Sequence, residues 1–142
     1  MNSSHRRPGP SGGQAAGLVA AVTLLGACAP MPEPPRLPDI PVNITFDESH
    51  CPVGVDPDNP SVDKATNQRL VWQAVDSVGK PIGEKFTLYF DPFRGKTLES
   101  SGKGYEKSPP FASDTPVNVQ YKYTIVGERC PDKPLDPRFF LN

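Results

Sequence analysis

Histidine, methionine and tryptophan are nearly missing from this chain: two, two and one respectively among 142 residues. The two histidines, His5 and His50, are too far apart for an HExxH metal helix, and residues 28–142 contain no CxxCH haem site, GxSxG nucleophile elbow or phosphate-binding glycine loop. Long apolar runs are missing too. The longest, residues 15–27 (AAGLVAAVTLLGA), has 13 residues, too few to cross a hydrocarbon core of ~30 Å. Nor is there an excess of positive charge. The formal net charge is -1, without the clustered basic surface that phosphate backbones require, so nucleic acid is not an expected partner.

What is present begins at the N-terminus. His5, Arg6 and Arg7 form a basic segment ahead of the apolar run, in the order of a secretory signal. The run ends in Leu25, Gly26, Ala27 and Cys28, and this LGAC resembles the lipobox of bacterial lipoproteins. The resemblance implies that residues 1–27 are removed and that Cys28 receives a diacylglycerol, becoming the lipidated N-terminus. The competing interpretation is an ordinary secretory leader that happens to contain a cysteine. A lipidated chain is tethered to the membrane without spanning it, since more than one acyl chain gives stable anchoring. Ala29, following the cysteine, implies by the same resemblance an outer-membrane destination, facing the periplasm. Loss of Arg6 and Arg7 with the leader leaves 13 basic against 16 acidic side chains, a net of -3.

Residues 28–41 carry six prolines without periodicity. Proline fixes φ and favours an extended polyproline II path. About 12 such residues at ~3.1 Å each would hold a domain roughly 35 Å from the membrane; a disordered tether is the alternative. Residues 42–142 then form one domain, for which the pattern predicts an all-β fold of six to eight strands in two sheets. Val42, Ile44 and Phe46 alternate with polar residues as a first strand. Val53 and Val55 fall in a proline-rich turn region, with a short strand near residues 61–64. Leu70 to Val75 is apolar in either register, as in a central strand, and Phe86, Leu88 and Phe90 form one face of the next. A weak strand is expected at residues 97–100, and loop from there to Pro116. Val117 to Val126 has the clearest period-two pattern, with Val117, Val119, Tyr121, Tyr123 and Ile125 on one face, and residues 139–141 close the sheet.

With Cys28 committed to lipid, Cys51 and Cys130 are an even pair in an oxidising compartment, and a disulfide between them is expected. The segments CPVGVDPDNPSV, RLVWQAV, FTLYFDPF and YKYTIVGERCPDKPLDPRFFLN resemble a cupredoxin-like domain of the kind found in small bacterial proteins. That resemblance covers residues 42–142 and implies a Greek-key β-sandwich with Trp72 in its core; an immunoglobulin-like sandwich is the alternative. It does not extend to the copper site. A blue-copper centre uses two histidines, a thiolate and usually a methionine, whereas the segment after Cys130 contains neither His nor Met. After cleavage His50 is the remaining histidine, and Met31 lies in the linker.

Asp47, Glu48, His50 and Cys51 are the densest group of chemically capable side chains, a weak candidate for a metal or acid-base site beside a solvated turn. Asp56, Asp58 and Asp63 resemble a calcium loop but lack its glycine and terminal glutamate. The aromatics Tyr89, Phe93, Tyr105, Phe111, Phe139 and Phe140 either pack the core or contribute to an exposed platform for protein or cell-envelope glycan. The expectation is a membrane-tethered, periplasm-facing module that binds or supports something without catalysis and without a cofactor. Its rival is a metal or redox protein built around His50.

Overall fold

A computed structural model describes residues 31–32, 36–90 and 97–142. Contacts divide the chain into 1–32 and 33–142, and every described strand lies in the second unit. Among the described residues there is no helix, and ten strands form two mixed sheets packed as a β-sandwich.

The smaller sheet has the order β2-β1-β4-β7, built from β1 (Ile40–Phe46), β2 (Pro52–Asp56), β4 (Leu70–Val75) and β7 (Tyr105–Lys107). Its centre is the parallel pair β1 and β4, in which Val42 stands beside Trp72 and Ile44 beside Ala74. The larger sheet has the order β3-β10-β8-β5-β6, from β3 (Ser61–Val62), β5 (Phe86–Phe90), β6 (Thr97–Glu99), β8 (Val119–Gly127) and β10 (Arg138–Leu141). The sixth strand, β9 (Cys130–Leu135), pairs antiparallel with β8 near the hairpin that joins them. Both β9 and β10 run antiparallel to β8, at its two ends, and are separated by Asp136 and Pro137.

Alternation decides what each sheet buries. Side chains two apart on a strand share a face, so Val42, Ile44 and Phe46 on β1 join Leu70, Trp72 and Ala74 on β4 as one inner surface. Phe86, Leu88, Phe90, Tyr123, Ile125, Phe139 and Leu141 supply the other, and all are buried in one cluster. Trp72 lies edge-on to Phe90, with centroids 5.5 Å apart, and to Tyr123 at 5.7 Å. Phe90 and Phe139 stack at 5.1 Å. Such pairs add about 0.5–1.5 kcal/mol beyond area burial. Burial pushes the Tyr123 phenol up to about 12, and the Trp72 indole beside it opposes part of that rise.

The structure departs from the sequence reading at four places. Val53 and Val55, expected in a turn region, belong to a strand, β2, and residues 130–135, where no strand is expected, form another, β9; Pro52, Pro131 and Pro134 hide both. Proline is tolerated in such strands where its missing N–H faces outward. The segment expected to be loop up to Pro116 contains the short strand β7. At the start of β8, Asn118 adopts a positive φ of 59°, so Val117 precedes the strand. Val117 and Val119 are exposed, and the buried inner face begins only at Tyr123.

Candidate functional site

Cys51 lies between β1 and β2, and Cys130 opens β9, so the disulfide between them joins the two sheets. Its Cα atoms are 5.1 Å apart. Backbone approach at this end is close: a Cβ on Gly127 would come within 3.0 Å of the Pro52 ring and 3.3 Å of Phe46. The turn leading into Cys51 is organised by Asp47. Its Oδ1 accepts the backbone N–H groups of Ser49 and Cys51, each at 2.9 Å, the local pattern expected of aspartate in a turn. That carboxylate faces its own backbone, and Glu48 is exposed. Asp47, Glu48 and His50 therefore do not converge on one point.

His50 instead meets residues far away in sequence. It sits at a positive φ of 62°, and its Nδ1 lies 2.6 Å from Glu84 Oε1. Its Nε2 is 3.1 Å from the Arg129 guanidinium Nη1, which is also 3.8 Å from Glu84. A guanidinium only donates. Nε2 must therefore be the acceptor, and the proton of a neutral ring lies on Nδ1, donated to Glu84. Glu84 is only 14% exposed and His50 45%, so the carboxylate forms the sheltered floor of a small triad. Beside it lies a depression of about 220 Å³ lined by Gly83, Glu84, Lys85, Glu128 and Arg129. A cation at Nε2 would have to displace Arg129 and its positive charge. Among the described residues no group of three or more His, Cys, Asp or Glu side chains could hold a metal ion.

The acidic residues of the proline-rich segment also separate. Asp56 ends β2. Asp63 caps a local turn through its Oδ1, which accepts Thr66 N–H at 3.2 Å. Asp58 lines a hollow of about 370 Å³ together with Asn59, Gln120, Asp136, Pro137 and Arg138. Here three planar side chains are linked edge to edge: Gln120 Nε2 donates to Asn59 Oδ1 at 3.3 Å, and Arg138 donates to Gln120 Oε1 at 3.2 Å. Asp136 accepts from the Thr124 hydroxyl at 2.7 Å and from Lys122 at 2.9 Å. The Thr124 hydroxyl and the Lys122 ammonium hold its carboxyl below the usual range. No sequence motif marks this hollow. Its signal is the outward phase of β8 and β10, Gln120 opposite Phe140 and Lys122 opposite Arg138.

The aromatics do not assemble into one platform. Tyr89, half exposed, projects from the outer face of the larger sheet, since Phe86, Leu88 and Phe90 take the inner one. Tyr105 pairs with Gln73 on the outer face of the smaller sheet, and is therefore on the opposite side of the sandwich. Phe139 is fully buried, Phe111 packs against the core and Phe140 is partly exposed. Phe93 and the lipidation candidate Cys28 lie outside the described residues.

No family model matches the chain, and no curated protein matches it. Among solved structures, it is similar to the N-terminal domain of phage TP901-1 ORF48, with 12% identity and a TM-score of 0.43, over 75% of this chain and 99% of that one.

Proposed function

We propose that this protein is a lipid-anchored component of the bacterial cell envelope, held at Cys28 and facing the periplasm, whose β-sandwich is a non-catalytic binding or structural module. The observation that carries the reading is the Cys51–Cys130 disulfide joining the two sheets. Such bonds persist in oxidising compartments outside the cytosol, which is where the LGAC-terminated leader would deliver the chain. Two independent features, one at the N-terminus and one in the folded domain, thus call for export. The partner is a protein or a glycan of the envelope, met by the polar outer faces of the sheets. Metabolic labelling with a fatty acid tests the anchor: label should enter the wild-type chain and be lost in Cys28→Ala, and label retained by the variant refutes the proposal.

A second reading, a metal protein built on His50, is favoured by one observation. The short Nδ1 contact with Glu84 orients the imidazole as carboxylates orient metal-binding histidines. Arg129 on Nε2 speaks against it. Stoichiometric metal in protein purified without chelator would favour this second reading; its absence would favour the first.

A further inference from the structure

We propose that the hollow formed by Asp58, Asn59, Gln120, Asp136 and Arg138 is a subsite for a neutral saccharide, one pyranose unit of an envelope glycan. The inference rests on the reading of the chain as an exported binding module and names its ligand class.

Charge balance selects the ligand. The lining carries two carboxylates and a guanidinium, with Lys122 bound to Asp136 at the edge. A free cation would meet Arg138, and a polyanion would meet Asp58 and Asp136. A neutral polyol meets neither penalty and can use both signs, giving hydroxyl protons to the carboxylates and amide oxygens and accepting from guanidinium and amide N–H groups. The donor count allows this. Arg138 uses one of five N–H donors on Gln120, and Gln120 uses one of two amide protons on Asn59. The existing bonds hold the three planar groups in place while leaving capacity for ligand, which lowers the ordering cost of binding.

Shape and chemistry agree with that choice. At about 370 Å³ the hollow falls near the lower end of the ~300–1,000 Å³ range of small-molecule sites, suiting one unit rather than a long chain. Phe140, outside the lining, stands opposite Gln120 on the neighbouring strand and is partly exposed on the same sheet face. The hollow is set into the sheet where β9 gives way to β10 at Asp136 and Pro137, so its walls are strand-borne as well as loop-borne. Asp136, whose carboxyl is held below the usual range by the Thr124 hydroxyl and the Lys122 ammonium, is an acceptor for sugar hydroxyls.

The test is an NMR titration of the full ¹⁵N-labelled chain, purified from membranes in detergent, with glucose tetramer, N-acetylglucosamine tetramer and, as an anionic control, a galacturonate oligomer. One or both neutral probes should shift the side-chain amides of Asn59 and Gln120, and Gln120→Ala with Arg138→Ala should weaken that binding at least tenfold. Both positions are on the exposed surface, and an unchanged melting temperature confirms that the variants fold. No shift at these amides with either neutral tetramer, shifts with galacturonate alone, or equal affinity in the double variant would each overturn the subsite. Fatty-acid labelling of the same preparation reads the anchor separately: a labelled chain with silent amides refutes the subsite alone, and an unlabelled chain with responding amides refutes the tether alone.

Discussion

Opening the Cys51–Cys130 bond should be among the costliest single chemical changes in the folded unit. The bond closes a loop with a sequence separation of 79, and the chain-entropy relation assigns about 4.5 kcal/mol to a loop of that size. Small domains have about 5–15 kcal/mol in all, so the reduced protein should be near the edge of unfolding. With each kcal/mol worth about 4–8 °C in a domain of this size, the melting temperature should fall by about 20 °C or more. The effect is largest for the unfolded state, because the crosslink ties the corner between β1 and β2 to the hairpin between β8 and β9. Urea unfolding of the oxidised protein and of the same protein kept reduced isolates the crosslink without changing a side chain. The reduced form should also show the larger m-value, since its unfolded chain exposes more surface. A stability difference below about 1 kcal/mol, with folded-state circular dichroism unchanged, would refute the reasoning that the bond restrains a large loop.

Trp72, fully buried between the sheets, should lose about 3–5 kcal/mol on replacement by alanine, measurable by the same urea transition. Gly104→Ala should destabilise by roughly 1–3 kcal/mol through overpacking alone, because Gly104 has a φ of +65° and a Cβ there would lie 2.4 Å from the Ile82 carbonyl oxygen and 2.8 Å from Ala74 Cβ; thermal melting checks it. Burial raises the Tyr123 phenol to about 12, so its contribution to stability is complete below the unfolded value near 10 and is lost as pH rises from there through 12. In an ultraviolet titration, one of the four tyrosines should ionise only near that upper limit or together with unfolding. Copper(II) added to the disulfide-intact protein should give no intense thiolate-to-copper band, because Cys130 is bonded to Cys51 and His50 is the single histidine among the described residues; a strong band with one tightly bound ion would count against this.

The sandwich was legible wherever a strand crosses the core, because there one face must be apolar. β1, β4, β5 and β10 follow directly from the alternation of Val42 to Phe46, Leu70 to Val75, Phe86 to Phe90 and Phe139 to Leu141. The disulfide followed from the even pair of cysteines left once Cys28 was assigned to lipid. Strands with little core contact were not legible. β2 and β9 carry prolines, and β9 exposes most of its side chains, so neither propensity nor alternation marks them. The depth of a strand is also invisible locally: Val119 has the phase of Tyr123 and Ile125 but is exposed, since β5 pairs β8 only from Tyr123 onward. The sites were less legible still. His50 meets Glu84 at a separation of 34 residues and Arg129 at 79, and Gln120 meets Asn59 at 61. Pairings of that range are set by sheet order, which no local pattern encodes.

One measurement tests the central proposal at both ends of the chain: the intact mass of protein extracted from membranes, before and after reduction and alkylation. The chain should begin at Cys28, carry the added mass of a diacylglyceryl group, and gain two alkyl groups only after reduction. A chain beginning elsewhere or without lipid would contradict the tether. Two thiols alkylated without reduction would contradict the exported, disulfide-closed sandwich.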